Sequence, residues 1–223
     1  MAGVAGKAKP FPFEFNKQTH SHMLTLALIA LNVIVSVLGF ASFRDPQRGE
    51  KFLFVPASVA AGENFTGMFL SHFSHADIGH LLFNMMTLFF FAPVVEMGLG
   101  MGGLLLVYVI AGVSATLLTY VFHKNNPNYR ALGASGSVAG VIFAAIVIQP
   151  AMSIYFFFVP VPIPGPIFAL GYVAISIYLA KRQVGNIGHE AHIGGAVAGF
   201  LLAGILFNEG FGPLVERVRE FVR

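Results

Sequence analysis

Four residues in this chain have the types and setting for acyl-transfer chemistry: Ser135, His192, His80 and Asn84. Ser135 lies in Gly133-Ala-Ser-Gly136, at the head of an apolar run that continues to Ile148. A small hydroxyl among glycines has two ordinary explanations. One is a seam where membrane helices pack closely, because small residues let backbones approach. The other is a nucleophile on a tight turn, where glycine supplies permissive backbone angles and leaves Oγ exposed. A histidine within hydrogen-bond reach can take the serine proton, which is the activation a hydroxyl needs near neutral pH. His192 is the candidate base. His80 and Asn84 carry N–H donors that, with the Ser135 backbone N–H, can stabilise an oxyanion.

Other polar residues have plainer readings. A lone His or Asn inside a membrane helix is an ordinary interhelical hydrogen-bond partner. His72 and His75 are three apart, as are His189 and His192. Yet His189-Glu-Ala-His192 is one residue short of the zinc motif H-E-x-x-H, and no in-span carboxylate or thiolate completes a site. No metal and no cofactor are expected. Asp77 and Glu190 can orient a histidine, but the simpler reading is a solvated acid at the positive end of a helix. Glu96 reads as a snorkelling or loop-bonding residue. Phe89-Phe-Phe91 and Phe156-Phe-Phe158 read as lipid-facing or core bulk.

The elements that must position these groups follow from composition. Of the 223 residues, 56% are hydrophobic and 10% charged, where soluble domains carry about 25% charged residues. Mean hydropathy is +0.76. This describes an all-α, multi-pass membrane protein in contact with the lipid bilayer. There is no cysteine, which excludes disulfides and a cysteine nucleophile. The net charge of +3 comes from scattered basic residues, so no nucleic-acid partner is expected.

Residues 1–22 read as a polar, mostly mobile tail, 23–207 as one membrane domain, and 208–223 as a polar, weakly amphipathic tail. Six spans are expected, at about 23–43, 78–97, 103–122, 133–148, 167–180 and 189–207. Residues 44–70 form a long mixed connection whose apolar pieces are too short to span. The proline-rich connection at 159–166 is a poor helix. A basic N-terminal tail places the N-terminus in the cytoplasm, with the plasma membrane as the expected location. The oligomeric state is left open.

Topology then sorts the polar residues. Spans two, four and six cross in the same direction. His80, Asn84, Ser135 and His192 each fall in the first two turns of one of these spans. All four therefore sit at one membrane face, about 5–10 Å deep at 1.5 Å rise per residue. Gly136 and Gly140 form a small-xxx-small pair, as do Gly195 and Gly199. Contact of spans four and six through them brings His192 to Ser135.

Three linked motifs resemble the rhomboid intramembrane serine proteases: His80-Leu-Leu-Phe-Asn84, Gly133-Ala-Ser135-Gly136 and Ala191-His192-Ile-Gly-Gly195-Ala-Val-Ala-Gly199. Val95-Glu96 with Gly98 and Gly100, and Val159-Pro-Val-Pro162, are also similar to family features. The resemblance covers about residues 65–207. It implies a six-helix rhomboid-like bundle with a water-filled cavity open to the non-cytoplasmic side. It implies a Ser135–His192 dyad without a third acid, and an oxyanion hole from His80, Asn84 and the Ser135 backbone. Substrates would be single-pass transmembrane proteins with helix-destabilised segments, since a scissile bond must leave its helix before a serine can reach it. Two features depart from the family pattern. The first long loop reads Asn64-Phe-Thr-Gly67 in place of a Trp-Arg pair, and Ala139 stands where many members carry an aromatic residue beneath the histidine ring. These departures are the only support for a catalytically silent rhomboid-like protein that binds membrane helices. A small transporter is a third reading, without an inverted repeat or broken-helix pair to support it.

Overall fold

The computed structural model describes residues 22–156, 159–182 and 188–222. The expected N-terminal tail, apart from its last residue, lies outside them. So do Phe157, Phe158 and residues 183–187.

Helix α1 (Met23–Ser42) is followed by short helical pieces: α2 (Pro46–Gly49), a 3-10 turn (Glu50–Phe52), α3 (Pro56–Ala60) and α4 (Phe65–Leu70). The apolar fragments of this connection are thus broken into single turns. Asn64 braces it. In a left-handed conformation, its Oδ1 accepts from Gly67 N–H at 3.1 Å, while Nδ2 donates to the carbonyls of Glu50 and Leu53, each at 3.2 Å. An Asn at a helix start supplies this acceptor readily. The stretch that lacks the family's Trp-Arg pair therefore has its own internal fastening.

Helix α5 (Ile78–His123) covers the expected second and third spans. Its 46 residues would extend about 69 Å if unbroken, over twice the ~30 Å hydrocarbon core. Gly100, with φ 72° and ψ 174°, interrupts the helical backbone. His80, Asn84, Thr116 and Thr119 line one cavity, so the two arms fold back on each other at that glycine. Helix α6 (Ser135–Ile148) is the centre: every residue from Gly136 to Ile148 except Ile142 is buried. A helix apolar on all sides belongs inside a bundle. It is enclosed by α5 and by α8 (His189–Leu206), with α7 (Gly165–Arg182) outside them.

The α6–α8 contact is backbone on backbone. A Cβ on Gly195 would lie 2.7 Å from the Gly136 carbonyl carbon, and one on Gly140 2.9 Å from the Gly195 oxygen. The small-residue pairs expected to form this seam do form it.

Among the described residues, α1, α5 and α8 are long and apolar enough to cross a membrane; α6 is a shorter apolar helix of 14 residues. Leu26, Ile34, Val37, Leu82, Phe90, Leu117 and Ile205 are exposed on these helices. An apolar surface of this extent fits a lipid-embedded protein. Phe89 and Phe90 face outward as expected.

As expected, most of the proline-rich connection is not helical, and that part is strand: β1 (Ser153–Phe156) pairs antiparallel with β2 (Val159–Pro164). Proline tolerates an edge strand, where its missing N–H costs no ladder bond. One feature differs from expectation. Glu96 is neither snorkelling nor loop-bound. It accepts from the Leu24 and Thr25 N–H groups, each at 3.2 Å, and from Thr25 Oγ1 at 2.6 Å. The first turn of α1 lacks a side-chain cap of its own, so this carboxylate satisfies its orphan donors from another helix. In the C-terminal tail, helix α9 (Gly212–Val222) follows Phe211, whose ring packs on Phe200 at 5.0 Å.

Candidate active site

Ser135 is the first residue of α6, after the N-cap Ala134. Helix geometry leaves its N–H without an intrahelical acceptor. The approach to it is held on two sides. Ala131 pairs with Phe54 through N–H···O bonds of 2.8 and 3.0 Å, and Gly133 N–H donates to Ser71 O at 2.8 Å. Gly133 has φ 128°, and a Cβ there would strike His80 Cε1 at 2.7 Å. Only glycine suits both the angle and the space.

His192 Nε2 lies 2.8 Å from Ser135 Oγ. The two residues are 57 positions apart and belong to different helices. The Oγ–H can donate to Nε2, which is the arrangement a general base requires. His80 Nε2 and Ser135 Oγ face one point, lying 3.1 and 3.7 Å from the position of a Cβ on Gly133. Asn84 is buried on the same α5 face, one turn deeper. One of its amide N–H groups donates to His80 O at 2.9 Å, leaving a second donor. His80, Asn84, Ser135 and His192 line a single cavity of about 680 Å³. The structure thus brings together all four residues singled out above.

His72, His75 and His189 each meet a neighbouring side chain. His72 Nε2 lies 2.7 Å from Thr116 Oγ1, and burial lowers its pKa below the ordinary value. His75 has no exposed surface. Ser36 Oγ donates to Phe73 O at 3.0 Å and so can only accept from His75 Nδ1, 2.8 Å away. His75 Nε2 has no partner, and its ring stands edge-on to His80 with centroids 5.0 Å apart. Burial first, then the nearby His80, push the His75 pKa down to about 4. His189 stands edge-on to His192 at 6.3 Å. Asp77 is the expected helix-start acid: it is exposed, and Oδ1 accepts from His80 N–H at 2.8 Å.

One residue near the site, Tyr172, escaped sequence reasoning, and a second, Glu190, departs from its simpler reading. Tyr172, on α7, lies in the cavity wall with its ring 6.3 Å from that of His192. It packs with Ala139, Phe143 and Ala196. An aromatic partner for the histidine thus comes from a neighbouring helix, where Ala139 leaves room. Glu190 is not the solvated helix-start acid of the simpler reading. Its side chain is instead only 13% exposed and bonded to His123 and Tyr129. The local sequence signal for Glu190 was a helix start, which says nothing of partners more than 60 residues away.

A mostly helical, apolar bundle with helices long enough to cross a membrane, and with a serine and a histidine in contact at the head of its central helix, describes a membrane protein. The comparisons specify the family. The Rhomboid domain matches residues 62–209, and the chain belongs to the rhomboid family. It is 32% identical over 152 residues to "Rhomboid protease GluP" of Bacillus subtilis, covering 66% of this chain and 27% of that protein. It is 26% identical over 188 residues to "RHOMBOID-like protein 12, mitochondrial" of Arabidopsis thaliana, covering 78% and 55%. It is 27% identical over 218 residues to "Rhomboid protein 1, mitochondrial" of Saccharomyces cerevisiae, covering 94% and 59%. The chain therefore spans between about a quarter and three fifths of the length of these relatives. The family includes serine intramembrane proteases.

Proposed function

We propose that this protein is an intramembrane serine endopeptidase, with Ser135 as nucleophile and His192 as general base. The observation that carries the reading is the 2.8 Å contact of His192 Nε2 with Ser135 Oγ in a cavity shared with His80 and Asn84. His192 takes the Oγ proton as Oγ attacks the scissile carbonyl. The Ser135 N–H at the positive end of α6, with His80 and Asn84, stabilises the oxyanion. His192 then passes its proton to the leaving amine, and water releases the acyl group by the reverse roles.

The substrates in this reading are single-pass transmembrane proteins with helix-destabilised segments. The bundle is counted as six membrane helices, with the two arms of α5 as separate spans and α6 and α7 completing the set. A cytoplasmic N-terminus belongs to the same proposal. Two of the relatives above are named as mitochondrial and lend no support to the plasma-membrane expectation, so a mitochondrial membrane stands beside it.

The silent-binder alternative rested on the loop at 64–67 and on Ala139. Against it, Asn64 fastens that loop internally and the Tyr172 ring stands 6.3 Å from that of His192. The test is cleavage of a panel of single-pass substrates in liposomes. Cleavage by the wild type that is lost in Ser135→Ala and in His192→Ala supports the proposal. Binding without cleavage across the panel, with the fold intact, favours the silent binder.

A further inference from the structure

Glu190 is two residues before His192, in the first turn of α8. Its Oε1 accepts from Tyr129 Oη at 2.7 Å and lies 3.1 Å from His123 Nε2. The Tyr129 ring stacks on that of His123, with centroids 3.6 Å apart and planes within 7°. Burial, reinforced by the Glu190 carboxylate, raises the phenol pKa well above its ordinary range, so Tyr129 remains a donor. One carboxylate oxygen therefore joins three pieces of chain: the end of α5, the segment leading to Ser135, and the start of the helix carrying His192.

The mechanical consequence follows from where the other fastenings lie. Inside the bundle, α6 and α8 are held by the glycine contacts at Gly136, Gly140, Gly195 and Gly199. The tightest of these, with Gly194 against Ser114 and Ala115 of α5, lie on the inward side of the Ser135–His192 bond; only the Ala191 carbonyl, 3.4 Å from a Cβ on Gly136, approaches from before His192. With no second fastening, the first turn of α8 could pivot about them and carry His192 off the serine. Tyr129 is six residues before Ser135, and the segment between them is already pinned to Phe54 and Ser71. Glu190 ties α8 to that pinned segment on the far side of the bond. The link is also largely desolvated, with His123 and Glu190 side chains 22% and 13% exposed. A charged hydrogen bond in such a setting is worth more than one on the surface.

We infer that Glu190 is a positioning residue: its bonds to Tyr129 and His123 fix the first turn of α8 so that His192 Nε2 stays on Ser135 Oγ. It does not touch the reacting atoms. The inference rests on the proposed roles of Ser135 and His192.

The test uses the full chain with Glu190→Ala, Glu190→Gln and Tyr129→Phe. Glutamine keeps an accepting Oε1; alanine removes it. Cleavage kinetics should show kcat lowered by roughly ten- to hundredfold in Glu190→Ala with KM little changed. Glu190→Gln should recover most of the wild-type kcat, and Tyr129→Phe should fall between. A second readout does not need activity. The chain has no cysteine, so spin labels at Lys124→Cys and Ile193→Cys, the latter ahead of the glycine contacts, report the placement of the start of α8 against the end of α5. Their distance distribution should broaden or shift in Glu190→Ala and return to the wild-type form in Glu190→Gln. A Glu190→Ala protein with unchanged label distances overturns the inference, as does one with unchanged kcat when the wild type is active. Loss of kcat that Glu190→Gln does not recover also overturns it. A wild type that cleaves nothing refutes the serine-protease reading, while the label distances still decide whether Glu190 holds α8.

Discussion

Replacing Gly195 by alanine is the sharpest structural challenge to the site. The new Cβ would fall 2.7 Å from the Gly136 carbonyl carbon and 3.1 Å from its Cα, with the Gly136 oxygen closer still. These are backbone atoms and cannot rotate away. Ordinary contact is 3.4–4 Å, so α6 and α8 would have to separate by about 1 Å, an overpacking that costs about 1–3 kcal/mol. Ser135 adjoins Gly136, and His192 is less than one turn before Gly195. The same separation would stretch their 2.8 Å contact beyond hydrogen-bond range. A displacement of about 1 Å at a reacting pair lowers rates by roughly 10²-fold. The assay pairs thermal unfolding in detergent with the rate of serine labelling by a fluorophosphonate. Gly171→Ala, where a Cβ meets nothing within 4 Å, is the control and should match wild type. Gly199→Ala, one turn deeper, should lose similar stability with a smaller loss of rate. A Gly195→Ala protein that melts with the wild type and labels within about twofold of it would refute the argument that the glycine seam sets the dyad.

Three further predictions follow from the same geometry. Glu96→Ala leaves three donors of the first turn of α1 unpaired. At about 1–3 kcal/mol for each buried unsatisfied group, it should lower the melting temperature more than Glu96→Gln, which keeps an accepting oxygen; equal melting of both with wild type would contradict this. The His75 pKa of about 4 lies below its ordinary value, so between pH 6.5 and 4 the unfolded chain binds a proton that the folded chain refuses. Stability from this group is complete above pH 6.5 and should fall by about 2 kcal/mol by pH 5; a flat unfolding profile from pH 7 to 5, or the same slope in His75→Gln, would count against it. Under the proposed function, Asn84→Ala should keep the fold and slow cleavage by about 10²–10³-fold; unchanged turnover would remove Asn84 from the proposed oxyanion hole.

The site was legible in sequence because its parts obey local rules. His80 and Asn84 share a helix face by spacing, and the expected common direction of the even spans groups Ser135 with His192. The glycine pairs said which helices approach. Much of the bundle was legible for the same reason, since lipid-facing helices leave long apolar runs. The rest depends on partners far apart in the chain. Glu96 meets Thr25 across 71 residues and Glu190 meets Tyr129 across 61. Nothing beside either acid distinguishes it from a solvated carboxylate. Tyr172 packs beside Ala139 and faces His192, a relation between three helices. The hairpin at 153–164 was hidden by prolines, which argue against helix without arguing for a strand.

The most direct test of the central claim is to treat the purified protein in detergent with a fluorophosphonate and map the adduct by mass spectrometry. The account predicts one covalent phosphonyl group, on Ser135 Oγ, absent from His192→Ala at the same protein concentration. A folded wild type that acquires no adduct, or whose adduct forms as fast without His192, would contradict it.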